Sequence, residues 1–185
     1  MPDSKEKWNT KYSSKSSFST EPDQFLVDQV ALLKEGSVLD FACGTGRNSI
    51  WLAKMGFEVT GADISDIGLL RLKVSAKESH VVIRTLEVDL TNELKLENLG
   101  PCDNIIINMY KPSQEILLML PKLLNEGGVL LICTHNWKQV EAGKFKKEFC
   151  LMPNELIDIK WEMKLVKHST FELDSGFYDG YVFSK

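Results

Sequence analysis

The chain reads as an α/β protein, a doubly wound and mostly parallel sheet with helices on both faces, and three observations point to it. Short strand-like runs alternate with helical stretches between residues 37 and 134. Several runs are apolar throughout, as strands buried on both faces are. Residues that cap or stop helices fall between them, and such alternation implies right-handed crossovers between parallel strands.

The elements follow in order. "KEKWNTKY" puts Trp8 and Tyr12 four apart, on one face of a short helix. "YSSKSSFSTEPDQ" is Ser-rich and reads as a loop or mobile lid. Phe25, Leu26, Val30 and Leu33 recur at helical spacing, and Gly36 stands where that helix ends. Strands are expected at 37–41, 57–63, 80–88, 103–108 and 128–134, and helices at 47–55, 66–78 and 113–124, with a weaker one at 93–99. Ser65 can cap the second of these helices, Gly56 can close the first, and "NEGG" (125–128) can end the third. In the tail, "WEMKLVKHSTFEL" and "FYDGYVFSK" flank "DSG", the signature of an antiparallel hairpin at the sheet edge.

A length of 185 residues fits one domain, 1–185, with residues 1–21 as its lid segment. A net charge of −4 and a pI near 5.5 leave no basic excess for a phosphate backbone, so a nucleic-acid partner is disfavoured. The four cysteines show neither C-x-x-C nor Cys/His ligand spacing, which signals no disulfide framework and no metal site. The polar start "MPDSKEKWNTKY" lacks a signal-peptide core, and no apolar run approaches the ~20 residues of a membrane span. A cytoplasmic protein with no membrane partner is expected, a monomer or weak homodimer.

The informative stretch is "VLDFACGTGR" (38–47): a buried strand, a turn from Ala42 to Gly46, and a helix beginning near Arg47. Ligands of open α/β sheets bind beyond the carboxyl ends of the strands, at the switch point. The turn's glycines allow close approach, and the helix start offers free N–H groups to an anion. A dinucleotide fingerprint would need glycine where Ser49 stands, and Asp40 at the strand end sits badly against a pyrophosphate. A ligand with both an ammonium and a carboxylate suits this pairing, and the methionine part of S-adenosylmethionine is one. Asp63, in "VTGADIS", can accept from both ribose hydroxyls, with Ile64 against adenine. Asp89, in "EVDL", ends the third strand within reach of the adenine amino group, next to Leu90. Each acid alone also fits a solvated strand end; three on consecutive strands favour a shared site.

These residues carry a resemblance. "LDFACGTGRNSIWLAKMGFEVTGADIS" is similar to the first motif and second strand of class I S-adenosylmethionine-dependent methyltransferases, closest to the group of tellurite-resistance and thiopurine methyltransferase-like proteins. The likeness extends through "WNTKY", "FSTEPDQFL", "LLNEGGVLLICTHNW" and "LMPNEL". It implies a Rossmann-like seven-stranded sheet whose C-terminal strand is antiparallel. It also implies that Asp40, Ala42, Gly44 and Gly46 form the cofactor loop, Asp63 the ribose-binding acid and Asp89 the adenine-side acid. Ala42 stands where many members carry glycine. Trp8, Tyr12 and Phe18 fall where related proteins fold a lid over the cofactor, although aromatics packed on a helix would look the same.

Methyl transfer from a sulfonium is a direct displacement, so positioning can supply about 7–11 kcal/mol without a dedicated base. The loops "NMYKPS" and "THNWKQ" should border the methyl group, which makes Asn108, Tyr110 and His135 pocket candidates. Tyr110 and His135 are the candidate catalytic groups, and His135 has the pKa suited to proton transfer. "NMYKP" lacks the Asn-Pro-Pro-Tyr order of amino-methylating nucleic-acid enzymes. The expected acceptor is a small soft nucleophile, a thiol or a selenium or tellurium oxyanion. A non-catalytic module binding S-adenosylmethionine or S-adenosylhomocysteine, or a methyltransferase on a protein or RNA, remains open.

Overall fold

The computed structural model describes residues 4–14, 18–96 and 99–185; residues 1–3 and 15–17 of the lid segment, and 97–98 of the 93–99 helix, lie outside the described residues. Seven strands, β1 (Ser37–Phe41), β2 (Glu58–Asp63), β3 (Arg84–Glu87), β4 (Cys102–Asn108), β5 (Leu124–His135), β6 (Lys164–Leu173) and β7 (Gly176–Ser184), form one sheet in the order β3-β2-β1-β4-β5-β7-β6. β1 to β5 pair in parallel, and β7 runs antiparallel to both β5 and β6. The expected hairpin is present, but its last strand inserts beside β5 and leaves β6 as the edge.

Alternation along the central strands builds a core on each face. Leu39, Phe41, Ile105, Ile107, Leu130 and Ile132 face one way, with Leu96 of α5 (Glu93–Leu96) and Ile116 and Leu117 of α6 (Gln114–Met119). Val38, Val59, Ile106, Leu131 and Cys133 face the other, with Phe25 and Leu26 of α2 (Gln24–Gln29) and Leu52 of α3 (Arg47–Lys54). α4 (Asp66–Glu78) lays Leu72 against Gly46 and Gly61, where an added Cβ would stand 2.1 and 2.9 Å from its methyl groups. Asp23, Ser65 and Ser113 cap α2, α4 and α6 through their side-chain oxygens.

Two element boundaries differ from expectation. The helix expected over 113–124 stops at Met119 and tightens into a 3₁₀ turn over Leu120–Leu123, because Pro121 cannot continue an α-helix. β5 consequently begins at Leu124, and its "NEGG" segment bulges out of register opposite Asp103, between the Cys102–Leu124 and Asn104–Val129 pairs. The strand expected over 80–88 is paired only at Arg84–Glu87: His80 turns the chain at φ 56°, and Val82 is 93% exposed beyond the sheet edge.

The chain climbs outward from β1 through β2 to β3 and then crosses to β4 on the opposite side of β1. This reversal opens a crevice at the carboxyl ends of β1 and β4, which is where α/β sheets hold ligands.

Candidate active site

The turn from Ala42 to Gly46 leads from the end of β1 into α3 at that crevice. Ala42, Gly44 and Gly46 all adopt left-handed backbone, at φ 66°, 57° and 81°. The amides of Ala42 and Cys43 donate to the Ala62 carbonyl at 2.9 and 3.1 Å, pinning the turn to β2. Glycine is required at 44 for a second reason: a Cβ there would lie 2.6 Å from the Tyr12 hydroxyl oxygen.

The three strand-end acids occupy different environments. Asp63 clasps the turn, its two carboxylate oxygens accepting from the amides of Gly44 and Ser65, each at 2.8 Å. Burial raises its pKa and the amide donors oppose that rise. Asp40 is 2% exposed and accepts from the Ser49 hydroxyl at 2.5 Å; burial first, with the Asp63 charge adding, pushes its carboxyl up to about 6. Ser49, which breaks the dinucleotide fingerprint, is thus the donor that meets Asp40. Asp89 is half-buried, and one of its oxygens accepts from the amide and hydroxyl of Thr91 at 3.0 and 2.7 Å in a tight turn. Tyr110 lies close to Asp63 and Asp89: burial raises its phenol pKa and both carboxylates add to the effect. Its ring stands 6.1 Å from Phe41, while Leu90 is buried in the same core and Ile64 is half-buried beside Asp63.

α1 (Ser4–Ser14) packs beside α4 and reaches the end of β3 through Lys5. Asn9 donates to Asp66 at 2.7 Å and accepts from the Ser65 hydroxyl at 2.6 Å, and Lys5 pairs with Glu87 and Asp66 at 2.5 and 3.4 Å. Trp8 stacks on Tyr12 at 5.8 Å, and Phe18 meets Tyr12 edge-on at 5.5 Å. Burial and the Asp63 carboxylate raise the Tyr12 hydroxyl's pKa. A groove of about 730 Å³ runs beside this helix, lined by Lys5, Asn9, Ser13 and Ile67 among others, and none of the three acids walls it.

Arg47 bridges the crevice. Its guanidinium donates to Asn108 at 2.7 Å and to the Glu21 carbonyl at 3.5 Å, and lies 3.7 Å from the buried Asp23 carboxylate. Met109 then takes left-handed backbone at φ 54°, and its amide donates to the Cys133 carbonyl at 2.9 Å. Lys111 reaches the Cys150 carbonyl and Glu155, both at 2.8 Å. His135 is placed apart from the acids, between Phe145 at 4.2 Å and Tyr178 at 4.7 Å, with Nδ1 3.2 Å from the Gln139 amide nitrogen; burial lowers its pKa. The Lys111–Glu155 pair escapes sequence reading because it joins residues 44 apart whose proximity depends on loop paths; Ser49 left a sequence signal, as the misfit in the glycine fingerprint. Among the described residues, no group of His, Cys, Asp and Glu could hold a metal ion.

Known proteins resemble this chain in sequence and fold. The putative methyltransferase YqeM of Bacillus subtilis is 31% identical over 118 residues, covering 58% of this chain and 46% of its own. The probable S-adenosyl-L-methionine-dependent methyltransferase TehB of Haemophilus influenzae is 26% identical over 110 residues, covering 58% and 38%. The matches span less than half the length of these curated relatives. The crystal structure of Haemophilus influenzae TehB superposes with a TM-score of 0.71 at 20% identity, covering 98% of this chain and 67% of that one. Magnesium protoporphyrin IX methyltransferase from Synechocystis, with S-adenosylmethionine bound, gives 0.66 at 17% identity, covering 98% and 79%. A family model described as "Tellurite resistance protein TehB" matches residues 4–168, so the chain belongs to the TehB family.

Proposed function

We propose that the chain, as one domain of residues 1–185, transfers a methyl group from S-adenosylmethionine to a small soft nucleophile such as a thiol or a selenium or tellurium oxyanion. The observation that carries this reading is the Asp63 carboxylate clasping the Gly44 and Ser65 amides at the switch point, beside a left-handed turn that Tyr12 covers. The residues present fit the cofactor: the left-handed turn presents its backbone beneath the Tyr12 ring, and the Asp40 and Asp63 carboxylates stand beside it.

When bound, S-adenosylmethionine supplies a methyl carbon activated by its sulfonium leaving group. In this reading Asp40 sits on the ammonium side, and Ala42, Gly44 and Gly46 bring backbone close to the amino-acid end. Arg47 and Asn108 fix the edge of the same crevice through their mutual hydrogen bond. Each Asp63 oxygen retains a second acceptor position for a ribose hydroxyl. Ile64, Leu90 and Asp89 form the adenine side. Trp8, Tyr12 and Phe18 exclude water as the lid, and Tyr110 borders the transfer path. Alignment and water exclusion supply the rate without an obligatory base. The free thiols of all four cysteines fit a reducing, cytoplasmic setting.

Replacing Asp63 by Ala removes charge-assisted hydrogen bonds worth about 1.5–3 kcal/mol and weakens S-adenosylhomocysteine binding at least tenfold in calorimetry. An affinity within twofold of the parent overturns the placement of Asp63. Labelled cofactor with a panel of thiols, selenite, tellurite and amines tests turnover. A second reading, a binding module without turnover, is favoured by the engagement of His135 in packing; methyl label in any product defeats it.

A further inference from the structure

The segment after β5 leaves and rejoins the body at one point. His135 and Asn136 start it, and Leu151 closes it by donating its amide to the His135 carbonyl at 2.8 Å and bridging to Asn136. An excursion of this length with touching ends is an Ω-loop. Residues 141–149 are exposed, and Gly143 turns the loop at φ 66°.

What fastens the loop converges on His135. Phe145, 40% exposed, lays its ring 4.2 Å from the imidazole, and Tyr178 backs the other contact at 4.7 Å. Gln139, fully buried on α7 (Lys138–Glu141), directs its amide nitrogen to Nδ1 at 3.2 Å and to the Ser175 carbonyl at 3.3 Å. Since a carbonyl only accepts, the nitrogen must face this side, so Nδ1 is an acceptor and the imidazole proton belongs on Nε2. Among the described residues no donor meets the buried Gln139 carbonyl oxygen, so the side chain's hydrogen bonds are those of its nitrogen. Gln139 also accepts from the amides of Lys144 and Phe145, through its backbone carbonyl at 3.0 and 3.3 Å. The loop's far end reaches α1, where the Lys7 ammonium sits 5.5 Å from the Phe149 ring.

We infer that His135 is a positioning residue: it pegs the 136–150 loop, through Phe145 and Gln139, as the acceptor-side half of a cover whose other half is α1. This rests on the methyltransferase reading for its benefit to catalysis, but the peg itself is a property of the loop. The ring, rather than proton transfer, is what the loop uses.

The test is limited trypsin digestion of the full chain, following cleavage at Lys144, Lys146 and Lys147 by mass spectrometry, with calorimetry of S-adenosylhomocysteine alongside. His135→Ala and Phe145→Ala should each be cut at least fivefold faster than the parent, His135→Phe within twofold of it, and all three should bind S-adenosylhomocysteine within twofold of parental affinity. Phe145→Ala, at a partly exposed position, keeps the test valid if His135→Ala does not fold. Parental cleavage of the alanine variants, or His135→Phe cut as fast as His135→Ala, overturns the peg. With mercaptoethanol as acceptor, His135→Phe should retain kcat within threefold and the parental pH profile, while Phe145→Ala raises KM. A hundredfold loss of kcat in His135→Phe, with a limb of the pH profile missing, makes His135 a proton carrier and overturns the inference. A parent that binds no S-adenosylhomocysteine defeats the methyltransferase reading instead, with the cleavage rates still deciding the peg.

Discussion

Asp40 is a buried carboxylate under electrostatic tension, and its sign can be worked out. Its folded pKa of about 6 lies above the ordinary value of 3.8, so the folded state holds the proton more tightly. The contribution is least unfavourable below pH 4 and worsens as pH rises through 6, reaching on the order of 3 kcal/mol at neutrality. Asp40→Asn should therefore be more stable than the parent at pH 7 and match it near pH 4, in urea titrations at both values. An equal difference at the two pH values sinks the assignment. The same variant should bind S-adenosylhomocysteine less well, which would mark Asp40 as a residue kept for its ligand at a cost in stability. Ala42 is a milder case: left-handed backbone costs a non-glycine residue about 1–2 kcal/mol, and the extra freedom of glycine in the unfolded chain returns about 0.4–1 of that. Ala42→Gly should stabilise by up to about 1 kcal/mol in the urea midpoint, and a loss above about 0.5 kcal/mol would show that the methyl group's packing matters more than the turn.

Among the elements, α1 is held differently from every helix of the core, since it buries none of its residues. Its attachments include the Asn9 bonds to Ser65 and Asp66, the Lys5 pairs, the Lys7 contact with the Phe149 ring and the Tyr12 ring over Gly44. Opening free energy tracks buried apolar contact, so amides of 4–14 should exchange with deuterium much faster than those of β4, and S-adenosylhomocysteine should slow them selectively. Protection of α1 equal to that of β4 would refute this account. Sequence legibility divides along the same line. β1, α4 and the Ser65 cap follow from local patterns, because strand alternation, capping oxygens and the glycine turn each act over a few residues. The end of α6 was legible in Pro121 yet masked by the stronger-looking "NEGG". The early end of β3's pairing was hidden because apolar Val81 and Val82 resemble strand whether or not a neighbour exists. In the site, the strand-end acids and the turn could be read from spacing. The Asp40–Ser49 bond, the Arg47–Asn108 bridge and the setting of His135 could not, since each depends on how α3, β4 and the 136–150 loop meet in space.

At the scale of the whole molecule, the open sheet has two edges, and both are guarded. β3 is only four residues long, and its Glu87 is tied to Lys5 of α1. β6 is ten residues long and exposed along most of its length, the more dangerous template for a second chain. It carries Lys164 and Lys167, and the register slips between Leu165 and Lys167, so a second strand would meet a bulge and two cations where it needs a flat ladder. The parent should therefore sediment as a monomer at tens of micromolar, and replacing both lysines by Thr should introduce concentration-dependent association by removing the charge while keeping strand propensity. If the parent is already a dimer that the double variant leaves unchanged, the edge is not what sets the assembly state, and self-association must use another surface. If the variant stays monomeric, the bulge alone is a sufficient barrier, which a deletion of Val166 restoring regular register would then remove.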